Sequence, residues 1–358
     1  MIRVTPEEFS VLTKYIYDVS GITLDNSKVY LIETRLGSLV EEFNCKSYSE
    51  FYYKAKSDAT KAIEKRVVNA ITTQETLWFR DKTPFEVLRN KIVPDLIDRK
   101  QKGVGRPRIR IWSAASSTGQ EIYSIAMTLA EMLPNLSDYD IRIVGTDISD
   151  AAIAAASYAK YTKFEMDRGL TPQLINKYFA QEGDLWKIND EIRFLANFKK
   201  FNLFDNYTSL GKFDIVFCRN VAIYFTIDDR KKIFDKIAGV LEPGGCLLIG
   251  ASEYLAGICD RFASNRHCRA VYYTVQGDIP TAPSFGNKPE THASGTVAPR
   301  TITNVKSSVT KPRPTTPAPA PRTTSSSAPA PRPASTPAAS MPMSSPVSSR
   351  LASTSRFG

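Results

Sequence analysis

The sequence predicts an α/β protein: an N-terminal all-helical domain, then a doubly wound Rossmann-like domain with a small antiparallel β insertion, then a disordered C-terminal tail. Three observations carry this. Up to about residue 76, apolar residues recur only at helical spacing. Beyond residue 108, short apolar runs rich in Ile, Val and Phe alternate with amphipathic helical patterns, as in a parallel sheet covered by helices. From about residue 278 the composition changes, with fourteen of the 22 prolines lying beyond Thr281 among Ser, Thr and Ala. Such a segment cannot build a core. The boundaries read from these shifts are 1–76, 77–277 and 278–358.

In the first domain, Pro6 opens a run with Phe9, Leu12, Ile16 and Val19 at helical spacing, and Gly21 ends it. Leu31, Leu36, Leu39 and Val40 mark a second helix, and Ile63, Val67 and Ile71 a further one. Lys28 and Arg35 sit on the opposite face, with Lys61, Lys65 and Arg66 further on. These charges suit either a solvated helix face or docking of an acidic partner; Lys28 and Arg35 are the docking candidates. The stretch TTQETLWFRD (72–81) reads as a lid or hinge in which Trp78 and Phe79 pack the domains together and Arg80 serves function.

A helix over 84–99 leads to the strand 110–112, whose loop of small residues runs into the helix marked by Ile122, Ile125, Ala126, Leu129 and Met132. Strand 141–146 ends at Asp147, and an alanine-rich helix follows over 149–159. Two alternating runs within 184–194, separated by Asn189 and Asp190, predict the antiparallel insertion at about 183–197. Strand 198–201 ends at Asn202 and Leu203. Residues 213–218 form the continuous apolar run of a buried parallel strand, ending at Arg219, Asn220 and, slightly further, Tyr224. A helix over 228–241, a strand over 246–249 and a last strand over 269–275 complete the sheet.

Composition limits the chemistry. The net charge is +10, but the nine Lys/Arg and single Glu beyond Thr281 contribute +8 of it, so residues 1–280 carry only +2. The basic balance therefore belongs to the tail, where it favours an acidic partner or an anionic membrane surface. No run of eighteen apolar residues and no signal pattern appears, which predicts a cytoplasmic protein without membrane insertion. The five cysteines form no C-x-x-C pair, so neither a disulfide framework nor a metal site is expected. With only two histidines, one of them in the tail, chemistry built on a histidine base is disfavoured.

The loop SAASSTGQE (113–121) is the organising feature. Gly119 and small side chains let a backbone approach a ligand at a helix N-terminus, but the dinucleotide pattern G-x-G-x-x-G is missing. Glu121 stands where phosphates would otherwise meet helix amides. A first-turn acid is also what the helix dipole favours on any fold. Asp147, at a strand end, is placed to accept from ribose hydroxyls. Ribose without pyrophosphate, beside a cation, describes S-adenosylmethionine.

The motifs IRIWSAASSTGQEIYSIA, VGTDIS, FNLF, FDIVFCRNVAIYF and LEPGGCLLIGASEYL, together with TTQETLWFRD, resemble the chemotaxis receptor methyltransferases of the CheR family over residues 1–277. The resemblance implies a class I methyltransferase domain and a protein-glutamate O-methyltransferase. Its cofactor would be S-adenosylmethionine, its product S-adenosylhomocysteine, and its partner the cytoplasmic signalling region of chemoreceptors. By the same resemblance, Gln74, Thr76, Arg80, Glu121, Asp147, Asn202, Leu203, Arg219 and Asn220 bind the cofactor, and Arg80 and Tyr224 are catalytic. Gln74 stands where asparagine is common, Gln120 where a second acid is common, and Ile122 where proline is common. Members that grip a receptor's C-terminal peptide carry a longer glycine-containing loop in the β insertion; here residues 181–184 are short, so the chain resembles the branch working without that tether.

Glutamate esterification needs no general base, since a carboxylate with a pKa near ~4.3 is already the nucleophile at neutral pH. A monomer that binds no nucleic acid is expected. Two other readings remain open on the residues: a nucleic-acid methyltransferase, suggested by the basic tail, and a non-catalytic adenosylmethionine-binding adaptor.

Overall fold

The computed structural model describes residues 2–101, 105–267 and 269–277. The expectation of a disordered tail over 278–358 lies outside the described residues.

Four helices form the N-terminal domain: α1 (Pro6–Ser20), α2 (Val29–Glu42), α3 (Tyr48–Ser57) and α4 (Ala62–Ile71). Helix α1 starts in a capping box, with Thr5 accepting from the Glu8 amide and Glu8 accepting from the Thr5 amide, and stops at Gly21 in the left-handed region (φ 75°). Phe9, Leu12, Ile16, Ile32, Leu36, Phe51, Val67 and Ile71 meet in its core. The sequence does not announce α3 as a separate element, because its Tyr, Lys and Ser residues give a weak apolar stripe.

The helix expected over 84–99 is a continuous rod of three pieces, α5 (Thr83–Val87), a π turn (Leu88–Ile92) and α6 (Val93–Lys100). Pro94 lies in the first turn of α6, so its missing N–H falls where the widened π turn has already altered the bonding pattern.

The main sheet comprises β1 (Arg108–Ala114), β2 (Asp140–Asp147), β6 (Ala196–Lys200), β7 (Phe213–Cys218), β8 (Leu241–Ile249), β9 (Phe262–His267) and β10 (Ala270–Val275), in the order β6-β2-β1-β7-β8-β10-β9. The first five are parallel neighbours, and β10 joins β8 and β9 antiparallel. Strand β9 was not anticipated; its sequence FASNRH lacks an apolar alternation. Helices α7 (Gln120–Met132), α8 (Asp150–Tyr158) and α12 (Ile227–Val240) connect the parallel strands. Alternation along β1 sends Ile109 and Ile111 to one core and Trp112 and Ala114 to the other, so both faces of the sheet are covered.

The β insertion lies earlier than predicted. Its three strands are β3 (Lys160–Thr162), β4 (Phe179–Glu182) and β5 (Leu185–Ile188), in the order β3-β5-β4, with α9 (Lys163–Met166) and α10 (Pro172–Tyr178) between β3 and β4. The second alternating run, placed in a strand by the sequence reading, is the short helix α11 (Asp190–Arg193). Alternation over so few residues does not separate strand from a single helical turn.

The helical domain packs against the α/β domain through specific contacts. Tyr17 donates to Asp229 Oδ2 at 2.8 Å, and Ser149 Oγ donates to Asn69 Oδ1 at 2.8 Å. A Cβ at Gly21 would lie 2.0 Å from the Phe204 ring, so glycine is required there for close approach as well as for its φ.

Candidate active site

The chain builds outward from β1 to β2 and β6, then crosses to β7 on the other side of β1. The strand order therefore reverses between β1 and β7, and the carboxyl ends of these strands open a crevice. A cavity of about 540 Å³ occupies it, walled by the loops after β1, β2 and β7 and by residues 20–31 and 71–76. The cavity thus lies between the helical domain and the α/β domain.

Most of the predicted site residues converge here. Gln74, Thr76, Arg80, Glu121, Asp147, Asn202, Leu203, Arg219, Asn220, Tyr224 and Lys28 all line the cavity. Arg35 does not. Its guanidinium donates to the carbonyls of Ala70, Ile71 and Thr72 at 3.3, 3.1 and 2.8 Å, so it caps the C-terminal end of α4 rather than offering a free docking charge.

Asp147 ends β2 and is 7% exposed. Oδ2 accepts from the Ser117 amide and Oδ1 from the Ser149 amide, each at 2.9 Å. Burial pushes its pKa above the ordinary aspartate value, against the opposing pull of those amides. Each oxygen retains a lone pair for a further donor.

Arg219 is the electrostatic hub. Its side chain is 1% exposed; Nη1 donates to Glu121 Oε2 at 2.8 Å, and Nη2 to the Arg80 carbonyl and Asp81 Oδ2, both at 2.7 Å. Ser113 Oγ donates to the other Glu121 oxygen at 2.7 Å. Arg219 thereby fixes the segment carrying Arg80, in which Phe79, Asp81 and Lys82 all have left-handed φ (50°, 67° and 48°). Such backbone persists where surrounding contacts over-determine it. Arg80 itself donates to the Glu75 carbonyl at 3.3 Å and faces the cavity.

Asn202 Oδ1 accepts from the Phe204 amide at 3.0 Å, while its Nδ2 lies 3.5 Å from the Val19 carbonyl of α1. Gln74 accepts from Ser117 Oγ at 3.2 Å and donates to Thr72 Oγ1 at 2.9 Å. The Tyr224 carbonyl accepts from the Thr23 amide at 3.0 Å, so the helical domain holds the turn that bears Tyr224.

Gly119 has a different role from the one expected. It takes φ 95° to start α7, and a Cβ there would press on Ala156 and the Tyr161 hydroxyl at 3.0–3.2 Å. Helix packing, not ligand approach, requires it. The sequence reading also missed Ser116, Ser117 and the Ile22–Thr23–Leu24 wall, which line the cavity. The serines were legible only as small loop residues, and the wall belongs to the other domain.

These residues fit an adenosyl ligand. Ser116 Oγ and Asn220 Oδ1 are buried without partners among the described residues, yet both residues line the cavity. Buried polar atoms left unpaired need a partner, and a ligand or a water in the cavity would supply one. Asp147 would take ribose hydroxyls, and Ser116, Gln74 and Asn220 the remaining polar edges.

Comparison with known proteins agrees with this geometry. Residues 7–72 match the family described as CheR methyltransferase, all-alpha domain, and residues 74–270 match CheR methyltransferase, SAM binding domain. The chain is 41% identical over 259 residues to chemotaxis protein methyltransferase 1 of Pseudomonas aeruginosa, covering 71% of this chain and 93% of that protein. It is 39% identical over 283 residues to the chemotaxis protein methyltransferase of Vibrio parahaemolyticus, covering 77% and 99%. The chemotaxis protein methyltransferase of Borreliella burgdorferi is 35% identical over 263 residues, covering 72% and 91%. With both domains matched to its models and relatives 39–41% identical over more than two thirds of its length, this chain belongs to the CheR methyltransferase family, whose cofactor is S-adenosylmethionine.

Proposed function

We propose that this chain is a protein-glutamate O-methyltransferase acting on the cytoplasmic signalling region of chemoreceptors and releasing S-adenosylhomocysteine. One observation carries the reading: a single cavity is lined both by the polar set of Asp147, Ser116 and Asn220, suited to an adenosyl ligand, and by the Arg80–Tyr224 pair, with no histidine among its lining residues. That combination suits a nucleophile that arrives already ionised. A glutamate carboxylate, with a pKa near ~4.3, needs no proton removed.

Bound S-adenosylmethionine supplies a methyl group activated by its sulfonium. The chain's own residues have a positioning task, worth up to roughly 7–11 kcal/mol in favourable cases. Asp147 anchors the ribose, and Arg219 holds Glu121 and the Arg80 segment in place. Arg80 binds the incoming carboxylate and Tyr224 orients one of its oxygens through the hydroxyl. One arginine and one neutral donor serve better than two cations, since over-stabilising the carboxylate ground state would raise the barrier. The apolar wall of Ile22, Leu24 and Leu203 excludes water around these polar groups.

We also propose that the enzyme works without a receptor C-terminal tether. Its β4–β5 hairpin turns at Gly183 and Asp184 alone, which supports this reading.

The test is to incubate the protein with methyl-labelled S-adenosylmethionine and receptor-containing membranes from its own organism, then treat with alkali. Label released as methanol marks a carboxyl ester; alkali-stable label would reject glutamate methylation.

A further inference from the structure

We propose that Glu253 is a positioning residue of this active site, which builds the turn presenting Asn220 and Tyr224 to the cavity. The pairing of β7 with β8 ends at Cys218 and Ile249. Beyond it, one carboxylate oxygen replaces the next rung: Glu253 Oε2 accepts from the Asn220 amide at 2.8 Å and from the Gly250 amide at 2.7 Å. Two adjacent strand ends are thus tied by one side chain from the loop that follows β8.

Three features show that this is a built arrangement. Asn220 takes a left-handed φ of 57°, a conformation that asparagine tolerates better than most residues but that needs support. A Cβ at Gly250 would sit 2.7 Å from both Asn220 Nδ2 and Glu253 Oε2, so glycine is required for the carboxylate and the carboxamide to nest there. The short helical turn Ala222–Tyr224 starts directly after the tied segment, which makes the direction of Tyr224 depend on it. Glu253 does not line the cavity itself. It acts through Asn220, whose Oδ1 is buried and unpartnered among the described residues. A supporting group that fixes ligand-contacting residues from behind is the usual requirement for a preorganised site.

The inference rests on reading Asn220 as a contact of the adenosyl ligand. It is tested by calorimetric titration of S-adenosylhomocysteine into the full chain and its variants Glu253→Ala, Glu253→Gln, Glu253→Asp and Asn220→Ala, alongside hydrogen exchange at the 220 and 250 amides. Glu253→Ala should weaken binding by roughly tenfold or more, the scale of a lost charge-assisted hydrogen bond. It should also deprotect those two amides while β7 stays protected. Glu253→Gln keeps an acceptor oxygen of the same reach and should restore both binding and protection. Glu253→Asp, one methylene shorter, should not. If Glu253→Ala fails to fold, the Gln against Asp comparison decides. Binding unchanged in Glu253→Ala or Glu253→Asp while Asn220→Ala weakens it would overturn the positioning role and leave the cofactor site standing. Unchanged binding in Asn220→Ala would instead overturn the assignment of Asn220, and with it this inference.

Discussion

Arg219 Nη1 lies 2.8 Å from Glu121 Oε2, joining the end of β7 to the first turn of α7 across the floor of the crevice. The sequence places both residues at the cofactor site; the structure also pairs them with each other. With the arginine side chain 1% exposed and the glutamate 13%, the pair has been taken out of water, and each charge depends on the other. Arg219→Met should therefore destabilise the fold by about 3–5 kcal/mol, because Glu121 and Asp81 lose their buried partner. Arg219→Lys should recover only part of this, since an ammonium cannot span Glu121, Asp81 and the Arg80 carbonyl as the planar fork does. Chemical denaturation of the three proteins checks the order.

Asp147→Ala removes the carboxylate held by the Ser117 and Ser149 amides. It should weaken S-adenosylhomocysteine binding by about 1.5–3 kcal/mol if the ribose bonds are charge-assisted. Calorimetry showing wild-type affinity would remove Asp147 from the site.

The raised pKa of Asp147 gives the binding a pH signature. Its ionised form is the better acceptor, so affinity should fall as pH drops through its raised pKa, beginning above the ordinary aspartate value of ~3.9. The sign for folding is opposite. A carboxylate whose folded pKa exceeds its unfolded one favours the folded state at low pH and loses that contribution as pH rises through the folded value. Titrations at several pH values, with Asp147→Asn as the control that abolishes this component, separate the two.

Tyr224→Phe deletes only a hydroxyl from a cavity-lining residue whose backbone is held by Thr23. Cofactor affinity and thermal midpoint should stay unchanged while methyl transfer slows. Wild-type turnover would assign Tyr224 to packing.

Truncation after Gly277 removes the Pro-rich segment, whose nine Lys/Arg against Asp278 and Glu290 carry +7 of the charge. It should leave stability, S-adenosylhomocysteine affinity and turnover on a soluble receptor fragment unchanged. Any effect should appear only with receptors in membranes and should fade with added salt, as expected of screened attraction to a charged surface. Loss of cofactor binding in dilute buffer would show that the segment belongs to the fold.

Local chemistry determined much of this protein in advance. The apolar run of β7, the strand end at Asp147 and the Pro6 start and glycine stop of α1 depend on side chains a few residues apart, and such patterns are legible in any one chain. The motif resemblance supplied the candidate cofactor residues, which line one cavity. What the tertiary structure alone decided involves distant pairs. Arg35 meets α4 rather than a partner because α2 and α4 pack together. Glu121 and Arg219, far apart in the chain, neutralise one another only because β1 and β7 are neighbours in the sheet. The reach of Glu253 back to Asn220 has no periodicity or spacing to announce it, because the hydrogen bond exists only where two parallel strands end side by side. Pairing across strands and domains is fixed by packing, and packing is a property of the whole chain rather than of any stretch of it.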